Sequence, residues 1–320
     1  MTDSSGLVDK SIAVMFPGQG SQFPGMAGDL LVHSQLARDM IEQANSILGF
    51  SLDKIMAGDM GDDLNRTIYT QPAIFVHSMM LWHILVEKTG ISPKVAAGHS
   101  LGEYSALCAA GALTFEQALR CINLRAREMD GAQPPGACGM AAVVGLSKDR
   151  VCEILDSMSC RELISVANIN SGDQTVISGN LAALVKAVDA FSQEKRVRCV
   201  MLPVSSAFHT EFMASARDKL REFLMDLEIK PTRFNVIANT SARSFPPDTI
   251  EMKNLLSQQV TNPVLWHDSV LEMLSEKPDF FIEVGPGKVL SGLLKRIDRN
   301  IMCYNVSSIS DIDTFLDTNK

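Results

Sequence analysis

The chain has 320 residues, a formal net charge of −8, and 46% hydrophobic against 21% charged residues, enough core for one large domain or a large domain with an insertion. The acidic balance argues against nucleic acid as the main partner, because phosphate binding leaves a basic footprint, and no apolar run has the length of a membrane span. Seven cysteines without a C-x-x-C pair suggest neither a disulfide framework nor a zinc site, and the polar start MTDSSGLVDK lacks the build of a signal peptide, so a reducing, cytoplasmic setting without metal is expected.

In chain order, SIAVMF (11–16) reads as a strand that runs into the glycine-rich loop PGQGSQFPGM. A helical stretch is expected over 26–48, and TQPAIFVHSMMLWHILVEK (70–88) has the apolar density of a buried helix. KVAAG then supplies a short strand. Two helices follow Ser100, separated by Gly111, the second opened by Thr114 with the capping-box partner Gln117.

MDGAQPPGACG (129–139) has the composition of a linker. Beyond it, MAAVVGL, a helix from Lys148 to Met158, LISVAN, QTVISG, a helix from Asn180 to Gln193 and VRCVMLPV read as β-α-β-β-α-β, the ferredoxin-like order. Strand–helix alternation resumes with FNVIAN, FFIEV (280–284) and the helix after GPGK. The expectation is an α/β protein: a large hydrolase-like domain (1–132 and 206–320) with a mainly parallel sheet, and an inserted ferredoxin-like α+β subdomain (133–205).

Gly98-His99-Ser100-Leu101-Gly102 matches G-x-S-x-G between a strand and an Ala-rich helix, the context of a nucleophile elbow. Ser100 is then a nucleophile at a helix N-terminus that favours a developing anion, or simply a helix cap. A nucleophilic serine needs a base. His77 and His83 fall within an apolar helix, His33 in an amphipathic one, and His99 adjoins the serine, which leaves His209, in a loop after a strand, with His267 as competitor.

No aspartate stands out as a third member, so a backbone carbonyl or an amide such as Gln259 is left to orient the imidazole. Oxyanion donors are expected from the N–H of Leu101 and from the PGQGSQ loop around Gln19, which lacks a P-loop lysine. In TFEQALRCINLRAREMD, Arg125 falls on the apolar face with Ala118, Cys121, Ile122 and Met129. It is either internally paired, for instance with Glu128, or a fixed cation for a substrate carboxylate. The basic runs EKRVRC (194–199) and KVLSGLLKRIDR (288–299) are solvated faces, or they receive phosphates or an acidic protein surface.

FPGQGSQ, TQPAIF, GHSLGEYSAL, AFH, NPVLW and EVGPGKVLSGLLKRI stand in the order and spacing of malonyl-CoA:acyl carrier protein transacylases, and the chain resembles that family from about residue 12 to 300. It is similar as well to the acyltransferase domains of polyketide and fatty acid synthases. The resemblance implies a ping-pong transfer in fatty acid biosynthesis: Ser100 takes malonyl from its coenzyme A thioester, and the phosphopantetheine thiol of acyl carrier protein removes it. Alternatives are the same chemistry for a polyketide assembly line and hydrolysis of carrier thioesters.

By the same resemblance, His209 acts as base and then acid, Gln19 and Leu101 serve the oxyanion, Arg125 binds the malonyl carboxylate, and Gln259 is the amide associated with the histidine. Phe208, in AFH, is similar to the residue that narrows malonyl-selective pockets. The Lys-Arg pair linked to coenzyme A in the family is replaced by Val197 and Arg198, with Lys195 and Arg196 adjacent. A monomer without a bound cofactor is implied.

Overall fold

The computed structural model describes Leu7, residues 10–204 and residues 206–319. Strand β1 (Ile12–Phe16) leads to helices α1 (Gly28–His33), α2 (Gln35–Leu48), α3 (Leu52–Ala57) and α4 (Thr67–Thr89), and β2 (Val95–Gly98) leads to α5 (Gly102–Ala109) and α6 (Phe115–Gly131). The middle of the chain forms β3 (Cys138–Val144), α7 (Lys148–Asp156), β4 (Ile164–Ser171), β5 (Gln174–Asn180), α8 (Leu181–Ser192) and β6 (Arg198–Met201). Then come α9 (Ala214–Met225), β7 (Asn235–Ile237), α10 (Thr249–Gln258), α11 (Trp266–Ser275), β8 (Phe280–Val284), α12 (Val289–Ile297), β9 (Cys303–Val306) and α13 (Ile309–Thr318).

The helix expected over 26–48 is two helices. Ser34 between them is extended (φ −126°, ψ 122°), and its hydroxyl accepts the Ala37 N–H. A serine that offers the backbone this local acceptor starts a helix better than it continues one. Thr114 and Gln117 form the capping box that opens α6. Helix α4 is buried along almost its whole length, consistent with an apolar segment that has no polar face.

Five strands make one parallel sheet in the order β7-β2-β1-β8-β9. All residues of β1 and β8 are buried, the pattern of strands covered on both faces. The chain builds outward from β1 through β2 to β7, then returns to β1's other side with β8, so a switch point lies at the carboxyl end of β1. Open parallel sheets place ligands at such a point.

The second sheet is antiparallel, in the order β4-β5-β3-β6, which is the ferredoxin-like order for β-α-β-β-α-β. Along β3 the pleat alternates: Ala141 and Val143 join the small core with Val151 and Leu184, whereas Met140 and Ala142 join the main core. Two backbone hydrogen bonds join the sheet to the large one's surroundings: Ile169 N–H to Val264 O and Val264 N–H to Ala167 O, both 2.9 Å. A cleft opens between them. Among the described residues no helix is long and apolar enough to cross a membrane.

Candidate active site

The register of the parallel sheet sets the site. Phe16 pairs with Gly98 at the carboxyl ends of β1 and β2, and His99 N–H donates to Phe16 O at 3.0 Å. The loops after both strands therefore leave the sheet side by side. Gly18 packs on the His99 carbonyl so closely that a Cβ would overlap it. A Cβ on Gly98 would strike the Gly102 backbone, and one on Gly102 the Phe16 carbonyl. The glycines of the pentapeptide are thus demanded by backbone crossing backbone at a sharp turn.

Ser100, at that turn, has φ 51°, a left-handed conformation that costs a non-glycine residue about 1–3 kcal/mol and needs outside support. Asn239, just after β7, provides part of it: its Oδ1 accepts the Ser100 N–H at 2.7 Å, and its Nδ2 donates to Gly98 O at 2.7 Å. Gln259 Nε2 donates to Ser100 O at 2.8 Å. Both polar groups of the strained peptide unit are held by side-chain amides.

His209 is buried, with φ 61°. Its Nε2 lies 2.8 Å from Ser100 Oγ and its Nδ1 lies 2.8 Å from the backbone carbonyl of Gln259. A carbonyl only accepts, so Nδ1 carries the proton, and Nε2 is free to accept the serine hydroxyl. Burial, and after it the Arg125 charge, lower the His209 pKa to about 3, which keeps the ring neutral and its Nε2 lone pair free at neutral pH. The histidine is oriented by Gln259's main chain and not by its amide, a correction to the amide association that the motif resemblance implies.

Gln259's side chain serves other partners. Its Oε1 accepts Arg125 Nη2 at 2.8 Å, and its Nε2 donates to Glu103 Oε2 at 2.5 Å. Arg125 is 1% exposed, donates through Nη1 to Gln71 Oε1 at 2.7 Å and through Nη2 to Ser100 Oγ at 3.0 Å, and stands 5.8 Å from the Tyr104 ring centre. Glu128 pairs with Lys219 at 2.7 Å, so the internal ion pair considered for Arg125 is not formed. The guanidinium touches only neutral groups directly, and it borders the cleft. A cation so placed is suited to an anionic ligand.

The cleft, about 250 Å³, is lined by Gln19, Leu101 and Phe208 beside Ser100, His209 and Arg125, and by Leu202 and Leu293. Among the described residues, neither the Gln19 nor the Leu101 N–H is engaged in a turn or loop hydrogen bond. Arg198 is exposed at the start of β6, paired with Val144, and does not line the cleft. His99 Nε2 meets Asn170 Oδ1 of β4 at 2.9 Å. His267 lies at the start of α11 beside Asp268, at 3.2 Å, away from the cleft lining.

Three site residues escape sequence reasoning. Gln71, Glu103 and Asn239 are all buried. Each is a polar residue in an apolar setting, in TQPAIF, at the start of the Ala-rich helix and at the end of FNVIAN, and such polar intrusions are the signal that marks them. Burial pushes the Glu103 carboxyl up to about 8, against the downward pull of the Asn239 and Gln259 donors and of Arg125.

Residues 14–307 match the family model described as the acyl transferase domain. The chain is 36% identical over 310 residues to a malonyl CoA-acyl carrier protein transacylase of Bacillus subtilis, covering 97% of each. It is 40% identical over 287 residues to the polyketide biosynthesis protein PksE of the same organism, across 89% of this chain but 36% of that one. A type II polyketide synthase acyl-carrier protein in complex with its malonyl-transacylase contains a chain of the same fold, with TM-score 0.92, 33% identity and coverage of 97% and 100%.

Proposed function

This chain belongs to the acyl transferase domain family, and from that premise we propose that it transfers malonyl from coenzyme A to the phosphopantetheine thiol of acyl carrier protein, through an ester on Ser100. One observation carries the reading: Ser100 Oγ lies between the neutral imidazole of His209, at 2.8 Å, and the buried guanidinium of Arg125, at 3.0 Å. The first makes the hydroxyl nucleophilic. The second selects an acyl group that bears its own carboxylate.

In the first half-reaction Oγ attacks the thioester carbonyl while His209 Nε2 takes the hydroxyl proton. The N–H groups of Gln19 and Leu101 receive the oxyanion. The carbon–sulfur bond breaks, and the coenzyme A thiolate leaves with the proton from Nε2. In the second, the carrier thiol gives its proton to Nε2 and attacks the ester carbonyl, and Ser100 leaves, reprotonated by His209. The malonyl carboxylate, one methylene from the reacting carbonyl, pairs with Arg125. Phe208 narrows the space beside that methylene.

Arg198, exposed at the start of β6 with Lys195 and Arg196 close in the chain, would receive coenzyme A phosphates. The enzyme would act as a cytoplasmic monomer and supply fatty acid synthesis. The similarity to PksE supports a second reading, the same transfer serving a polyketide carrier, since the chemistry at Ser100 is unchanged and only the carrier differs.

Intact-mass measurement after incubation with malonyl-CoA tests the proposal. A malonyl adduct on the wild type that is absent from Ser100→Ala, and that moves to added carrier, is expected. Adduct persisting on the variant removes the nucleophile assignment, and release of free malonate in place of carrier labelling makes the protein a hydrolase.

A further inference from the structure

The mechanism above leaves unexplained a carboxylate that is 1% exposed at the start of α5, one turn from the nucleophile. Taking an ionised carboxylate out of water is costly, and it is tolerated only where hydrogen bonds and charge offset the loss. Glu103 meets that condition with two donors. Its Oε1 accepts the backbone N–H of Asn239 at 2.6 Å, and its Oε2 accepts Gln259 Nε2 at 2.5 Å. Both oxygens accept from groups that can only donate, and these donors with the Arg125 charge favour the ionised form against the burial that pushes the carboxyl up to about 8.

These two partners are the residues that hold the strained backbone of Ser100, on its N–H side through Asn239 Oδ1 and on its C=O side through Gln259 Nε2. Gln259 also carries the connection onward, because its Oε1 accepts Arg125 Nη2. We propose that Glu103 is a positioning residue for acyl transfer, which through Asn239 fixes the Ser100 backbone and through Gln259 fixes both that backbone and the Arg125 guanidinium. The inference rests on the transfer reading above.

The chemistry requires a carboxylate at this place. A glutamine at 103 has one acceptor atom for two donors. The Asn239 N–H is main chain and cannot turn, so the new NH2 would face the NH2 of Gln259. Relief by flipping the Gln259 amide would point its NH2 at Arg125 and its oxygen at the Ser100 carbonyl, breaking both contacts. The two branches are separable. Asn239→Ser keeps the main-chain N–H that Glu103 accepts and leaves Gln259 in place, but removes the side chain that receives the Ser100 N–H.

The test measures the rate of Ser100 acylation by malonyl-CoA and by acetyl-CoA, per site titrated as adduct at completion, so that loss of folded protein does not enter. Glu103→Gln is expected to acylate about 100-fold more slowly with malonyl-CoA, the scale of a small misplacement of reacting groups, and to lose malonyl-over-acetyl preference about 10-fold, the scale of one charge-assisted contact. Asn239→Ser is expected to slow both substrates about 10-fold with the preference unchanged.

Glu103→Gln acylating at the wild-type rate per site, or losing no more preference than Asn239→Ser, overturns the proposal. Should Glu103→Gln fail to fold, Glu103→Asp, which keeps the charge but is one methylene short of both amides, takes its place under the same two outcomes. A wild type that forms no malonyl ester defeats the parent reading instead, so the two failures are distinct.

Discussion

Replacing Arg125 by alanine tests the acyl-group assignment most directly. The guanidinium is 1% exposed and held by Gln71 and Gln259 at 2.7 and 2.8 Å, with Ser100 Oγ at 3.0 Å. A malonyl carboxylate entering the cleft would exchange water for this cation. Removing one partner of a buried charge pair costs about 3–5 kcal/mol, and at about 1.4 kcal/mol per decade the loss in malonyl kcat/KM is roughly 10²–10⁴-fold.

An acetyl group offers nothing to the cation, so acetyl transfer should stay within about threefold of wild type or rise, since its methyl no longer faces a desolvated guanidinium. The measurement is kcat/KM for Ser100 acylation from both thioesters, followed by intact mass. Arg125→Lys supplies a check on geometry: an ammonium cannot span Gln71 and Gln259 in the plane of a guanidinium and should restore only part of the malonyl rate. Equal losses for malonyl and acetyl in Arg125→Ala would refute the carboxylate clamp.

Gln259→Ala should leave the His209 contact intact, because the acceptor is main chain. It should lower malonyl-over-acetyl preference about 10-fold yet retain more acetyl transfer than His209→Ala, which loses roughly 10²–10⁴-fold with both substrates; equal activity of the two variants would contradict this. Since His209's pKa is lowered to about 3, the neutral base should persist as pH falls below 6.5, and any stability the neutral ring contributes should be lost only between pH 6.5 and about 3. A protonation of His209 followed by NMR near 6.5 in the folded protein would refute this, and in Arg125→Ala the titration should move upward, because a repelling charge is gone. Gly102→Ala should cost about 3 kcal/mol through overlap with the Phe16 carbonyl and lower Tm by roughly 4–5 °C in a thermal melt; an unchanged Tm would mean that the turn can open.

Local rules in the sequence were enough for the turn at Ser100, the capping box of α6 and the β-α-β-β-α-β run, because glycine spacing, caps and apolar periodicity act over a few residues. They also identified Arg125 as an anomaly on an apolar face. The same rules overran at Ser34, where a single cap divides the stretch read as one helix into α1 and α2.

What joined these pieces was decided only in three dimensions. His209 is 109 residues and Gln259 is 159 residues from Ser100, and no local pattern shows that His209 reaches the serine or tells which atom of Gln259 faces the imidazole. Nor does sequence reveal that the carboxylate of Glu103, three positions from the serine, is tied to it by way of Asn239 and Gln259. The parallel register of β1 and β2 aligns the two loops, and the return of the chain to β8 closes the cleft around them. The residue types and the chemistry available are local properties of the sequence. Their assembly into one site depends on hydrogen bonds a few ångströms long between residues more than a hundred positions apart, which tertiary packing alone determines.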